Sequence, residues 1–375
     1  MTSKFDSIRP YDDADLPVVL NKLFNNKEFI ASLVAFKFAA WPKFFRPVLA
    51  FITRQYILKQ MAGVKTLRGF LHLVEPYMER MINTTTDSFT VSGINNLDLS
   101  QACLFISNHR DIALDPAFVN WALHVNGQDT VRIAVGDNLL KKEWVADLIR
   151  LNKCFIVKRS ATDRREKLAA AKLLSEYIEF TLNNDQQHIW IAQKEGRAKD
   201  GHDQTNPAII SMFTLNKPKT VEFADYLKTL RIVPVSISYE FDPCDISKAR
   251  ELQQLEEEGC YNKPDNEDVQ SIVRGITGQK GRVHLHFGEQ LTGDFDNAKQ
   301  VAEHLDHAIL DGYKSFSTGP ISAKMLDSNL AITIDDGEAK IAKEYLNRRL
   351  QKLTEQEQVK LLSMYAASYL KQQAY

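Results

Sequence analysis

A histidine and an aspartate share a short polar stretch of the sequence, Ser107–Pro116, at positions 109 and 115. An apolar run of strand type precedes this stretch, and apolar residues at helical spacing follow it. Asp115 followed by Pro116 is typical of a helix N-cap and the first helical position. We therefore expect His109 in a tight strand-to-helix loop that Asp115 closes. There a carboxylate can fix the histidine tautomer while the free ring nitrogen takes a proton from a hydroxyl. The alternative is a surface histidine beside a helix cap.

Two more strand-like runs end in positively charged loops. The first is followed by Lys158 and Arg159, and the second by the block Lys194–Arg197, in which Gly196 would let a backbone N–H approach an anion. If the strands are parallel, their carboxyl ends meet at one edge of a sheet, and these loops converge on the His109 loop. Cations beside a base suit a substrate that carries phosphate near the hydroxyl to be activated. The alternative for each cation alone is a solvated surface charge.

Strands and helices alternate from Ser88 to about Gly288, which predicts an α/β fold with a mostly parallel sheet flanked by helices. The predicted strands are Phe89–Val91, Leu104–Ser107, Val131–Val135, Cys154–Lys158, Ile189–Gln193, Ile232–Tyr239 and Val283–Phe287. The predicted helices are Leu16–Phe24, two between 29 and 74, 75–87, Glu143–Arg150, Arg164–Thr181, Leu252–Glu258, Val269–Ile276, 298–315 and a charged tail at 338–373.

The composition excludes several classes of protein. A net charge of -1 argues against a general nucleic-acid binder. The four cysteines, at 103, 154, 244 and 260, form no CxxC pair, so neither a zinc site nor a disulfide framework is indicated. The first ten residues have no signal-peptide pattern, and no uninterrupted apolar run reaches the length of a transmembrane helix.

Residues 29–74 differ from the rest of the chain. They are rich in aromatic residues and contain no Asp or Glu, and Pro42 and Pro47 divide them into two helices of modest length. Their seven basic residues are Lys37, Lys43, Arg46, Arg54, Lys59, Lys65 and Arg68. A basic, aromatic and amphipathic segment is typical of an anchor that lies on a membrane surface. The alternative is a helical hairpin packed on the core with its cations in solvent.

Four short blocks follow one another in an order that is known from one group of enzymes. They are Asn108-His109 with Asp115, the run Phe155–Arg159, Glu195-Gly196-Arg197, and Ile232–Val235 with its Val-Pro pair. With these blocks the chain resembles the glycerolipid acyltransferase superfamily, most of all the bacterial 1-acyl-sn-glycerol-3-phosphate acyltransferases. That family is marked by Asn-His-x4-Asp, an apolar strand ending in Arg, Glu-Gly-Thr-Arg, and a Val-Pro strand. The resemblance covers roughly residues 88–290.

The resemblance implies transfer of a fatty acyl group from acyl-CoA or acyl-carrier protein to the hydroxyl of a lysophospholipid, 1-acyl-glycerol-3-phosphate, in phospholipid biosynthesis. It makes His109 the general base and Asp115 the residue that orients it, with no metal and no cofactor besides the acyl donor. The residues it implies for substrate binding are Asn108, Arg110, Lys158, Arg159, Glu195, Gly196 and Arg197.

Two departures from the family pattern leave alternatives open. Five residues rather than four separate His109 from Asp115, so Asp111 is a rival partner for the histidine. The third block lacks the Thr and has Gln193-Lys194 where Phe-Pro is usual. The acceptor could therefore be another lysolipid, such as an amino-acid lipid with a free hydroxyl. A non-catalytic, membrane-associated protein of the same fold is the other alternative.

These observations together predict three regions. They are an N-terminal helical, membrane-associating region at 1–87, an acyltransferase α/β domain at 88–290 and a C-terminal helical region at 291–375. The expected partners are a membrane lipid surface, contacted through 29–74, and acyl-carrier protein as one of two candidate donors, with no nucleic acid. The expected location is peripheral, on the cytoplasmic face of the inner membrane.

Overall fold

The computed structural model describes residues 4–38, 41–264 and 266–374. Residues 1–3, 39–40, 265 and 375 lie outside the described residues. They are the few positions of the three predicted regions, and of the predicted anchor at 29–74, that the structure does not describe. The division at 87 and 290 stays a prediction.

The described residues form an α/β fold of strands and helices. The strands are β1 (Ser88–Ser92), β2 (Leu104–Ser107), β3 (Arg132–Gly136), β4 (Cys154–Val157), β5 (Ile189–Ala192), β6 (Ile232–Tyr239) and β7 (Arg282–Phe287). The helices are α1 (Leu16–Asn25), α2 (Lys27–Lys37), α3 (Arg46–Met61), α4 (Leu67–Thr85), α5 (Leu114–Val125), α6 (Glu143–Leu151), α7 (Arg164–Asn183), α8 (Pro207–Phe213), α9 (Phe223–Thr229), α10 (Asp245–Glu258), α11 (Glu267–Thr277), α12 (Ala298–Gly312), α13 (Thr318–Leu326), α14 (Asp336–Leu350) and α15 (Glu355–Gln373).

The chain divides into two compact units, of which the smaller joins Met1–Glu79 with Arg132–Leu173. Its core forms around α1, where Leu16, Leu20 and Leu23 recur at helical spacing and are buried against residues of α2, α4 and α6. Strands β3 and β4 pair in parallel within this unit. The N-terminal helices and this strand pair therefore belong to one packed body.

The larger unit joins Arg80–Val131 with Leu174–Tyr375 and holds five strands in the order β1-β7-β6-β2-β5. All neighbours run parallel except β6 and β7, which are antiparallel. The four residues of β2 are all buried between β5 and β6. The loop that carries His109 therefore leaves the carboxyl end of a central strand, where open α/β sheets place their ligands.

Helices cover both faces of these five strands. On one face, the α5 residue Phe118 packs its ring 5.2 Å from that of Phe89 and 5.9 Å from that of Tyr239. On the other face, the Ser236 hydroxyl donates to the carbonyl of Ile309 in α12. Side chains at 236 and 239 point to opposite faces because successive residues of a strand alternate. The sheet is therefore buried on both sides, which explains the apolar runs in the sequence.

The C-terminal helices pack into the larger unit. Helices α10, α13, α14 and α15 share an apolar cluster with Phe241, which follows β6, and the Phe241 ring stacks on that of Tyr345 with centroids 4.0 Å apart. Asp245 of α10 forms a buried ion pair with Arg349 of α14. Helix α15 begins with a capping box between Thr354 and Glu357.

Several details differ from the sequence prediction. Helix α10 begins at Asp245 rather than Leu252, and the tail predicted at 338–373 forms two helices, α14 and α15. Helix α5 begins at Leu114, so Asp115 lies in its first turn and the prediction of Asp115 as the N-cap is wrong. The helix predicted at 75–87 begins at Leu67 and continues through Pro76, because Leu67 and Phe70 bury apolar side chains before the proline. Helices α8, α9 and α13 were not predicted. No helix in the described part of the chain combines the length and apolar content that a membrane crossing requires.

Candidate active site

His109 and Asp115 are hydrogen-bonded. The Nδ1 atom of His109 lies 2.7 Å from Oδ2 of Asp115, and the imidazole ring also meets the indole of Trp190 edge to face, with centroids 5.6 Å apart. The Asp115 side chain is fully buried, whereas that of His109 keeps 14% of its surface exposed. With Nδ1 bonded to the carboxylate, Nε2 is the ring nitrogen left to take a proton from a substrate.

Four donors surround the Asp115 carboxylate. Besides His109, the backbone N–H groups of Arg110 and Asp111 donate to Oδ2 over 2.6 and 3.0 Å, and the Tyr239 hydroxyl donates to Oδ1 over 2.7 Å. Burial, followed by the charge of Asp115, raises the pKa of Tyr239 well above its usual value, so this hydroxyl stays a donor. Four donors satisfy the hydrogen-bonding capacity of this buried side chain. It is therefore held in place to orient His109.

Asp111 has a different task. Its Oδ1 accepts from the backbone N–H groups of Ala113 and Leu114, over 3.0 and 2.9 Å, and so satisfies two donors at the start of α5. Burial, and then the charge of Asp115, raise the pKa of Asp111. The structure therefore pairs His109 with Asp115, while Asp111 holds the backbone that leads into α5.

The backbone around His109 is held from three sides. The carbonyl of His109 accepts from the Ala198 N–H over 2.9 Å, and the carbonyl of Arg110 accepts from Nζ of the buried Lys248 over 2.7 Å. The Asn108 side chain bonds both backbone groups of Ile237 in β6, through its Nδ2 over 3.0 Å and its Oδ1 over 2.8 Å. The Asn108 amide is thus engaged by the neighbouring strand.

The third block lies directly after β5, beside the His109 loop, since the N–H of Ala198 bonds the His109 carbonyl. Gly196 has a positive φ of 75°, a backbone conformation that favours glycine. The half-buried guanidinium of Arg197 has no hydrogen bond or ion pair with any other described residue, and Glu195 is exposed. Arg197 is thus an unpaired cation next to Ala198, the residue that bonds the His109 loop, and such a cation suits an anionic substrate group.

Lys158 and Arg159 belong to the smaller unit, where they follow β4 and are exposed. The carboxylate of Asp137 fastens their loop, since it accepts from the N–H groups of Arg159 and Ser160, both over 3.1 Å. The carboxyl end of β3 thus holds the loop that follows β4. The substrate roles of both cations stay predictions.

Two residues that support the site, Tyr239 and Asp203, could not be picked out from the motifs. Tyr239 supports Asp115, and its only sequence signal is a polar-tipped aromatic at the carboxyl end of a buried strand. Arg110 is buried in an ion pair with Asp203, with Nη2 and Oδ2 2.6 Å apart. Gln193 is fully buried, and neither polar atom of its amide finds a partner among the residues described. Within those residues, no group of three or more His, Cys, Asp or Glu side chains could hold a metal ion.

The part of the chain that carries the His109 loop matches a known protein family. Residues 88–238 match the model of the Acyltransferase family. No curated protein matches the chain. Among solved structures, the chain is similar to the 1-acyl-sn-glycerophosphate (LPA) acyltransferase PlsC from Thermotoga maritima, at 16% identity and a TM-score of 0.39, over 85% of this chain and 98% of that one. That likeness is too distant to transfer any residue role. The family match contains His109, Asp115 and the third block, and it shows that residues 88–238 form an acyltransferase domain.

Proposed function

We propose that this acyltransferase moves a fatty acyl group from acyl-CoA or acyl-carrier protein to the hydroxyl of a lysophospholipid, 1-acyl-glycerol-3-phosphate, in phospholipid biosynthesis. The observation that carries the proposal is the 2.7 Å bond between His109 Nδ1 and Asp115 Oδ2 inside the matched family region. The proposal involves no metal and no cofactor besides the acyl donor.

The proposed acyl-transfer reaction uses the hydrogen-bonded pair of His109 and Asp115. His109 Nε2 removes the proton of the acceptor hydroxyl as the hydroxyl oxygen attacks the thioester carbonyl carbon. Asp115 stabilises the imidazolium that forms. The C–S bond then breaks, and the imidazolium returns the proton to the departing thiolate, which leaves an ester and a free thiol. The acceptor is itself the nucleophile, so no acyl-enzyme is formed.

The test is an assay of the purified protein with a labelled acyl thioester and a panel of lysolipids. The panel holds a lysophospholipid with a terminal phosphate, one with a capped phosphate and an amino-acid lipid with a free hydroxyl, each offered with acyl-CoA and with acyl-carrier protein. We expect the terminal phosphate to be preferred. Acylation of the amino-acid lipid alone would support the alternative acceptor, for which the unpartnered amide of Gln193 is the supporting observation. No transfer to any acceptor would support the non-catalytic alternative.

We propose that Lys158, Arg159 and Arg197 bind the acceptor phosphate. Arg159→Ala is then expected to raise KM for a phosphate-bearing acceptor about tenfold, because a hydrogen bond to a charged group contributes about 1.5–3 kcal/mol and exposure reduces that figure. KM for the acyl donor should stay within about twofold of wild type. The measurement is steady-state kinetics with each substrate varied in turn. Arg164→Ala, which removes an exposed cation from the first turn of α7, is the matched control. Equal effects on both substrates would remove Arg159 from the phosphate site.

We also propose that 29–74 anchors the chain on an anionic membrane, peripherally and on the cytoplasmic face of the inner membrane. A lysolipid resides in the bilayer, whereas the acyl donor is water-soluble. The supporting observation is the outer face of α3, whose apolar side chains are exposed and recur at helical spacing: Val48, Phe51, Ile52 and Tyr56. In the turn before α3, Phe44 is 74% exposed, and its ring lies 4.1 Å from that of Phe45. Exposed apolar side chains beside cations suit the headgroup boundary of an anionic bilayer.

The anchor predicts binding that depends on lipid charge. The triple replacement Lys43→Gln, Arg46→Gln and Lys59→Gln should weaken binding to anionic vesicles at least tenfold and flatten its salt dependence, since each cation near the surface contributes about 1 kcal/mol. Arg54 is left unchanged because its Nε donates to the carbonyl of Phe24 over 3.0 Å. Sedimentation with vesicles of graded anionic content, at low and high salt, measures the effect.

The control removes three exposed cations from the C-terminal helices, through Lys324→Gln, Lys340→Gln and Lys343→Gln. It changes the net charge by the same amount and should bind as wild type does. If the two triple variants bind equally well, 29–74 is an ordinary helical hairpin and not an anchor.

A further inference from the structure

We propose that Arg110 is a positioning residue of this site, paired with Asp203, and that it acts through the loop 196–203 and helix α15. The proposal rests on the proposed function, because the group that is positioned is His109, the general base. It gives Arg110 a role different from the substrate contact that the family resemblance implies.

The guanidinium of Arg110 is fully engaged by the protein. Its Nη1 donates to the carbonyl of Ala198 over 3.0 Å, and its Nη2 lies 2.6 Å from Oδ2 of Asp203 and 3.3 Å from the hydroxyl of Ser368. The cation also lies over the ring of Tyr313, 5.7 Å from its centroid. Arg110 is only 8% exposed. A substrate phosphate would have to displace Asp203 to reach it, whereas Arg197 is unpaired and closer to solvent.

These contacts join Arg110 to the loop that carries the third block. The Ala198 N–H bonds the His109 carbonyl, and the Ala198 carbonyl accepts from Arg110, so one residue of the loop is bonded to two successive residues of the catalytic loop. Oδ2 of Asp203, at the other end of the loop, also accepts from Asn108 Nδ2 over 3.4 Å. The loop 196–203 is therefore fastened at both ends to residues 108–110.

Helix α15 supports this arrangement from its outer side. Gly201 has a φ of 80°, and a Cβ atom there would lie 2.2 Å from the carbonyl oxygen of Met364 in α15, so only glycine fits between loop and helix. Ser368, one turn further along α15, bonds Arg110 itself. The C-terminal helix thus holds the loop against Arg110, and the predicted C-terminal helical region contributes to the catalytic site.

The experiment compares Asp203→Asn and Arg110→Lys with the matched control Asp147→Asn. The control breaks the ion pair of the buried Asp147 carboxylate with Lys22, and both residues belong to the smaller unit, whereas His109, the loop 196–203 and α15 belong to the larger one. Arg110→Lys keeps the positive charge and is therefore the milder variant. It still disturbs the arrangement, because an ammonium cannot bond Ala198, Asp203 and Ser368 with the geometry of a guanidinium. Thermal unfolding sets a temperature at which all variants are folded.

Two measurements follow. The first is the NMR titration of imidazole resonances in histidine-labelled protein without substrate, with the His109 signal assigned by its loss in His109→Ala. The second is steady-state kinetics with the acceptor varied. In both site variants we expect the His109 resonance to shift or broaden. We also expect kcat to fall at least tenfold in Asp203→Asn and about threefold in Arg110→Lys, with the acceptor KM within about twofold of wild type. Asp147→Asn should unfold at a lower temperature but keep its kcat and its His109 signal.

Each other outcome overturns the proposal. An acceptor KM that rises tenfold at constant kcat would make Arg110 a substrate ligand. A loss of kcat in Asp147→Asn that equals the loss in Asp203→Asn would make the effect one of general stability. An unchanged His109 resonance in both site variants would exclude positioning. Should wild type transfer no acyl group to any acceptor, the proposed function fails by itself, and the NMR titration still decides whether Arg110 positions His109.

Discussion

Replacing His109 with Ala should lower acyl-transfer turnover by roughly 10²–10⁴-fold, the contribution that a general base typically makes. The fold should survive the change. Asp115 keeps three donors, namely two backbone N–H groups and the Tyr239 hydroxyl, so its buried charge is not left unsatisfied. The His109 side chain is also partly exposed, which limits the cavity that its removal leaves. The measurement is turnover of a labelled acyl thioester with the preferred lysolipid, together with thermal unfolding and vesicle sedimentation.

His304→Ala is the matched control, because it removes an exposed imidazole from α12 in the same unit. It should unfold, bind vesicles and turn over as wild type does. If His109→Ala retains more than about a hundredth of wild-type turnover, His109 is not the general base.

The strands were the part of the fold that the sequence predicted best. The bounds of β2 and β6 agree with the prediction to the residue, because every residue of both strands is buried and most of them are apolar. Short helices such as α8 and α9 were not predicted, since seven residues give too few turns for a periodic pattern. The start of α5 was misplaced because Asp-Pro is a common way to begin a helix, yet here the helix begins one residue earlier and Asp111 bonds the N–H groups at its start.

The site was predictable only as far as its motifs are local. His109 and Asp115 share one loop, so their pairing follows from spacing and the strand-helix junction. Tyr239 meets Asp115 across 124 positions of the chain, and Asp203 meets Arg110 across 93. Neither pair leaves a pattern along the sequence, because the contacts exist only once β6 lies beside β2 and the loop 196–203 folds over the catalytic loop. A motif can thus identify the base and its partner, while the residues that support them require the structure.

Asp115→Asn should lower turnover by at least a hundredfold, whereas Asp111→Asn should stay within a fewfold of wild type. An amide oxygen at position 115 can still accept from His109, Arg110 and Asp111, and its Nδ2 can face the Tyr239 hydroxyl, so the fold should persist. What is lost is the negative charge that stabilises the imidazolium. At position 111 the amide oxygen of asparagine can accept from the same two N–H groups, so the donors at the start of α5 remain satisfied.

The two variants form a matched pair, because each replaces a buried carboxylate by its isosteric amide within the same loop. Turnover should be measured across pH at saturating substrate, with thermal unfolding as the check on folding. In Asp115→Asn the imidazolium loses its counter-charge, so turnover should fall at every pH. Asp111→Asn should leave the pH–rate profile as wild type has it. If Asp111→Asn instead loses the greater share of turnover, Asp111 is the functional partner of His109 and the 2.7 Å bond to Asp115 does not carry the chemistry.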